Sequence, residues 1–99
     1  MALQVQRNVD NTTVIKISGR FDFSCHNEFR QAYASHPAGG SIVVDMADAS
    51  YLDSAALGML LLLRDHATAT GSPVSITNCK GQPHEVLRIA NFDRLFKIR

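Results

Sequence analysis

A chain of 99 residues that is 45% hydrophobic and 19% charged, with a formal net charge of +1, is long enough for one modest core and too apolar to be disordered. That charge balance excludes the cationic excess by which tails bind nucleic acid. Cys25 and Cys79 lie far apart with no Cys-x-x-Cys spacing, which argues against a redox dithiol or a zinc ribbon and for two reduced thiols in a cytosolic protein. The N-terminus lacks a basic segment followed by an apolar one, and the longest apolar run, Ala55–Leu63, broken only by Gly58, is too short to cross a bilayer. One domain over residues 1–99 in the cytoplasm is the expectation.

Residues 2–8 and 12–18 carry β-branched or alternating apolar positions around Asp10-Asn11 and predict an opening hairpin, ended by Gly19. From Ser24 onward Cys25, Phe29, Ala32 and Tyr33 recur at helical spacing and stop before Pro37 and Gly39-Gly40, giving an amphipathic helix. Ser41–Met46 is a β-branched run that reads as a central strand buried on both faces. The segment from Ser54 to about Ala69 is a helix apolar nearly all round in its first half, with little polar face for water. Gly71-Ser72-Pro73 closes it, Val74–Thr77 alternates as a strand, and Pro83 opens a third helix with Val86, Leu87 and Ala90 inward. Phe92, Leu95, Phe96 and Ile98 anchor the end of the chain. The order ββαβαβα predicts an α/β fold: a mixed sheet of about four strands with parallel crossovers and helices packed against it.

Tyr51-Leu52-Asp53-Ser54-Ala55-Ala56-Leu57-Gly58 is the most informative stretch. It sets an Asp-Ser pair where a strand region gives way to the apolar helix. Ser54 can act as N-cap there, and the positive end of the helix dipole favours an anion beside it. Taken alone, such a serine is commonly a cap for local reasons only.

The order of elements, the Gly19-Arg20-Phe21-Asp22 turn and the Leu52–Gly58 corner resemble the STAS domain of bacterial anti-sigma factor antagonists over nearly the whole chain. The resemblance implies a cytoplasmic, non-catalytic partner-switching protein, monomeric when free, in signal transduction and transcription regulation. In that family the serine after the motif aspartate is phosphorylated by a serine kinase, often itself an anti-sigma factor, and reset by a PP2C-type phosphatase. By motif that serine is Ser54, and the family's aspartate beside the phosphoserine matches Asp22. A single-domain subfamily working with response regulators that carry kinase and phosphatase activity, in motility, biofilm formation or secretion, looks closest.

The resemblance implies that the unmodified form binds a regulatory partner and the phosphorylated form releases it. Partner-binding residues are then Asp22, Asp53, Ser54, Leu57 and Met59, the last two as apolar contacts beside the serine. Neither cofactor nor resident metal is implied; Asp22 and Asp53 could share oxygens with an Mg²⁺ or Mn²⁺ that belongs to a partner enzyme. Three departures stand out: Ala55 replaces a second hydroxyl residue, Ala56 a glycine, and Arg20 an acidic residue.

Two other classes compete. An enzyme would need a base for Ser54, but nothing reads as Gly-x-Ser-x-Gly or His-Glu-x-x-His, and none of His26, His36, His66 and His84 can be assigned to it. An accessory subunit of a larger complex, for example a transporter, would use Ser54 only as a cap. Direct nucleic-acid binding is weaker still, since Arg88, Arg94, Lys97 and Arg99 read as a solvated face without interleaved aromatics.

Overall fold

Thr13, Ile15 and Ile17 alternate with Val14, Lys16 and Ser18, and the structure buries the first set while leaving the second partly or fully exposed. The computed structural model describes residues 3–99. In chain order they form β1 (Leu3–Arg7), β2 (Thr13–Phe21), a 3-10 turn at Phe23–Cys25 and α1 (His26–Ala34), then β3 (Ile42–Leu52) and α2 (Ser54–Thr70). After these come β4 (Val74–Thr77), α3 (Gly81–Ile89), a second 3-10 turn at Phe92–Arg94 and β5 (Lys97–Ile98). The first strand was expected from residue 2, which lies outside the described residues.

The strands lie in the order β1-β2-β3-β4-β5, β1 antiparallel to β2 and every later neighbour parallel. This is the expected mixed α/β sheet with β3 at its centre, extended by a fifth strand. Consecutive parallel strands that step in one direction, joined by right-handed crossovers, put their helices on one face of the sheet. Ile15, Ile17, Ile42, Val44, Met46 and Ile76 form that face's core layer with Phe29, Leu60, Leu63 and Leu87.

The other face stays partly open. Val43 and Asp45 of β3 are therefore half-buried, correcting the expectation of a strand buried on both faces; a β-branched residue at an outward position disguised the alternation. Nor does β3 end at Met46. It runs on to Leu52 through a register shift against β2, where the Asp45 carboxylate accepts the Ala47 N–H at 3.0 Å and the Asn78 amide at 3.0 Å. These bonds hold the Asp45 carboxyl below the ordinary range, the Asn78 amide contributing most.

Gly19 does not end β2, which continues through Arg20 to Phe21. On α3, Leu87 is buried and Val86 packs at the core edge, but Ala90 is exposed because the helix ends at Ile89. Phe92 and Phe96 anchor the C-terminal segment as expected, whereas Leu95 is exposed.

His36 ties the N-terminal ends of β2 and β3 together. Its Nε2 donates to the Gly40 carbonyl at 2.6 Å, so in the neutral ring Nδ1 accepts the Thr13 hydroxyl, also at 2.6 Å. Both side chains are buried. Thr13→Val keeps the volume but leaves Nδ1 without a donor, and we expect a loss of about 1–3 kcal/mol in urea unfolding. A loss near zero would mean that water replaces the hydroxyl.

Candidate functional site

Phe21 and Leu52 are paired neighbours in the parallel β2–β3 ladder, so Asp22 and Asp53 leave the sheet side by side at its C-terminal edge. Both have extended backbones, φ −136° and ψ −171° at Asp22, φ −112° and ψ −177° at Asp53. Each caps the helical turn it precedes. Asp22 Oδ1 accepts the Ser24 N–H at 3.0 Å and the Ser24 hydroxyl at 2.5 Å. Asp53 Oδ1 accepts the Ala56 N–H at 2.9 Å.

The ground behind the corner is well held. Gln82 of α3 substitutes for a strand, its side-chain amide donating to the Leu52 carbonyl at 3.0 Å and accepting the Leu52 N–H at 2.9 Å. Arg20, opposite Tyr51 in the ladder, lies 4.0 Å from the Tyr51 ring centroid and places Nε 3.5 Å from Asp22 Oδ2. The cation is thus shared between an aromatic face and a carboxylate.

Ser54 is not the N-cap. Asp53 has the extended backbone and the carboxylate that reaches the third helical N–H, and Ser54 is the first residue of α2. Its side chain is exposed and makes no hydrogen bond among the described residues. With Asp53 as the cap, the Ser54 hydroxyl is left for other chemistry, at the end of a 17-residue helix where an anion is favoured.

The remaining expected contacts divide. Leu57 is half-buried and packs at the core edge. Met59 is 4% exposed and faces the core, away from the corner surface. In its place the structure presents Phe23, 68% exposed beside Asp22, its ring stacked on His26 with centroids 5.3 Å apart. Phe23 could have been found from sequence as the aromatic out of step with the Cys25, Phe29, Ala32 and Tyr33 series. Among the described residues no three His, Cys, Asp or Glu side chains are grouped to hold a metal ion.

The Ser24 hydroxyl and N–H, and then Arg20, hold the Asp22 carboxyl below its ordinary value of 3.8. A depressed carboxylate contributes stability above the ordinary value and loses it as pH falls through the folded value. We therefore expect the Ser24 amide resonance to move in an acid titration with a midpoint below 3.8, and Asp22→Asn to abolish that transition. A midpoint at the ordinary value would show that the Asp22–Ser24 turn is open in solution.

The family model described as "Mlab, STAS domain" matches residues 5–98. A STAS-domain containing protein of Pseudomonas aeruginosa (strain UCBPP-PA14) is 52% identical over 87 residues, spanning 85% of this chain and 84% of the relative. Among solved structures, the unphosphorylated form of the anti-sigma factor antagonist SpoIIAA matches with a TM-score of 0.75 at 16% identity, over 99% of this chain and 87% of that one. The Bacillus protein has also been solved in its phosphorylated form. A sulfate transporter family protein from Wolinella succinogenes matches with a TM-score of 0.76 at 12% identity, over 94% of this chain and 79% of that one. At these identities the two structures show the fold, and that fold alone does not decide between their functions.

Proposed function

The chain belongs to the STAS-domain family, and from that premise we propose that it is a non-catalytic regulatory switch whose state is set by phosphorylation of Ser54. The unmodified protein binds a regulatory partner, an anti-sigma factor with serine-kinase activity or a related response regulator, through Asp22, Asp53, Ser54, Leu57 and the exposed Phe23. A partner kinase phosphorylates Ser54 and the complex dissociates; a PP2C-type phosphatase resets it. The protein acts in the cytoplasm; no helix among the described residues is long and apolar enough to cross a membrane.

One observation carries the reading: Asp53 does the capping, and the adjacent Ser54 hydroxyl stands exposed, without a hydrogen-bond partner among the described residues, at the positive end of α2. A serine needed only to start the helix would be bonded to it. The existence of SpoIIAA in both phosphorylated and unphosphorylated forms supports the reading on the same fold.

The test is affinity capture from native lysate with wild type, Ser54→Ala and Ser54→Asp as baits, joined to phosphosite mapping of the protein isolated from cells. A partner held by Ser54→Ala and lost by Ser54→Asp, with phosphate on Ser54 in cells, is the expected result. Equal retention by all three baits and an unmodified serine would overturn the switch and leave an accessory subunit.

A further inference from the structure

Packing α1 beside α2 creates a groove of about 560 Å³ whose walls include His26, Arg30 and Tyr33 from α1 and Leu62 and His66 from α2. We propose that this groove docks an acidic, amphipathic segment of a protein partner, beyond whatever contact the Ser54 corner makes. The proposal does not depend on phosphorylation.

Charge is the first reason. Each of the two helices carries one carboxylate, Glu28 on α1 and Asp65 on α2. Glu28 lines a separate groove against β1 with Leu3 and Val5, and Asp65 is exposed outside the groove lining. The guanidinium of Arg30 and the two imidazoles therefore face the groove with no carboxylate among the described residues of its walls. A single guanidinium is too little permanent charge for the phosphates of a nucleic-acid backbone, while guanidinium, imidazole and phenol are all donors that a carboxylate accepts from.

The floor and rim supply the apolar half. Tyr33 packs edge-on against Phe29 with centroids 5.7 Å apart and against His66 at 5.1 Å. Its phenol oxygen makes no hydrogen bond among the described residues, yet it is not sealed from solvent, so it can donate into the groove. Burial of the ring raises the phenol pKa and keeps that donor proton in place. Leu62 is 52% exposed on the rim, and Phe23 extends the apolar surface through its stack on His26. Exposed large apolar side chains grouped around donors mark a docking surface rather than scattered exposure.

The groove is also continuous with the corner. Ser54, Gly58, Leu62 and His66 follow one another at four-residue steps along α2, an inclined row on its surface. Gly58 is exposed, and a Cβ built there would meet nothing within 4 Å. Packing among the described residues therefore gives no reason for glycine, which costs about 1 kcal/mol against alanine in a helix interior. The missing side chain leaves a passage by which a partner seated at Ser54 can continue into the groove.

The test is a ¹⁵N NMR titration of the unphosphorylated full chain with a synthetic twelve-residue peptide of Glu and Leu in helical repeat, and with a twin carrying Lys at every Glu. The Glu peptide should give saturable shifts at Arg30, Tyr33, Leu62 and His66. Its affinity should fall tenfold or more in Arg30→Glu and in Leu62→Lys, both exposed positions whose spectra report an intact fold, and the Lys twin should give no shifts there. Equal binding of the twin, shifts confined elsewhere, absence of binding, or unchanged affinity in both variants would overturn the proposal. Shifts at these residues that grow with protein concentration alone would assign the groove to a second copy of this chain and likewise overturn it. No arm involves Ser54 modification, so failure here is distinct from failure of the switch.

Discussion

Phe21→Ala should lower stability by about 3–5 kcal/mol, the range for emptying a buried aromatic site, and should loosen the Asp22–Ser24 turn along with it. Phe21 is fully buried, its ring 5.0 Å from Phe29 at 56°, and it pairs with Leu52 in the last rung of the β2–β3 ladder. Both aspartates follow directly from that rung. Against a typical total of about 5–15 kcal/mol for such a domain, the loss would bring the protein close to unfolding. Urea melts measure the stability, and amide exchange at Ser24 and Cys25 reports the turn. Phe23→Ala, two residues on, removes an exposed ring and should change stability by no more than about 0.5 kcal/mol. Equal losses in the two variants would show that Phe23 is packed in solution and is no docking contact. Should Phe21→Ala fail to fold, Phe21→Leu offers a smaller perturbation at the same rung.

The order of elements was legible because the period of apolar residues changes from two to helical spacing where Gly and Pro punctuate the chain. Gly71, with φ +71°, closes α2 as its place after the apolar run suggests. What escaped sequence reading follows from local physics of other kinds. β5 is two residues long, and no period can be seen in two residues. The second half of β3 falls outside the strand read at Ser41–Met46 because the register shift breaks its alternation, and Asp45, a turn-forming residue by propensity, is there to brace the irregularity.

At the corner, Asp53 and Ser54 are both strong N-cap residues, and their ranking does not separate them. The choice is made by the ladder, which keeps Leu52 paired and Asp53 extended, so that the helix can begin only at Ser54. Met59, expected beside the serine, is buried, and Phe23, for which the sequence suggested no role, is exposed, for a related reason. An apolar residue early in a helix can face either way until the partner surface is known, and in the 3-10 turn that Asp22 caps Cys25 turns to the core while Phe23 turns outward. The groove between α1 and α2 is invisible in either helix alone, since it arises from their packing.

Phosphorylation of Ser54 should weaken partner binding about a hundredfold while leaving the fold at least as stable. Phosphate adds about 1.5–2 negative charges and three strong acceptor oxygens. In the free protein that charge sits at the positive end of α2, where the first-turn N–H groups of Ser54 and Ala55 lack intrahelical acceptors. The interaction favours the phosphorylated helix by about 0.3–1 kcal/mol. Repulsion from the two aspartates opposes it, but Asp22 is already paired with Arg20 and hydrogen-bonded to Ser24, and Asp53 Oδ1 to Ala56. The opposing effects should leave the melting temperature unchanged or slightly raised.

A docked partner removes the solvent that makes this charge tolerable. Burying the phosphate against apolar or acidic groups then carries a desolvation and repulsion cost. A cost of about 3 kcal/mol corresponds to the hundredfold loss. Calorimetric titration of the captured partner with phosphorylated and unmodified protein measures the ratio, and a melting scan of the same two samples separates altered docking from altered folding. Equal affinities would remove Ser54 as the switch. A large drop in melting temperature on phosphorylation would instead show that the modification acts by breaking the start of α2, which the free N–H groups and the exposed position of Ser54 argue against.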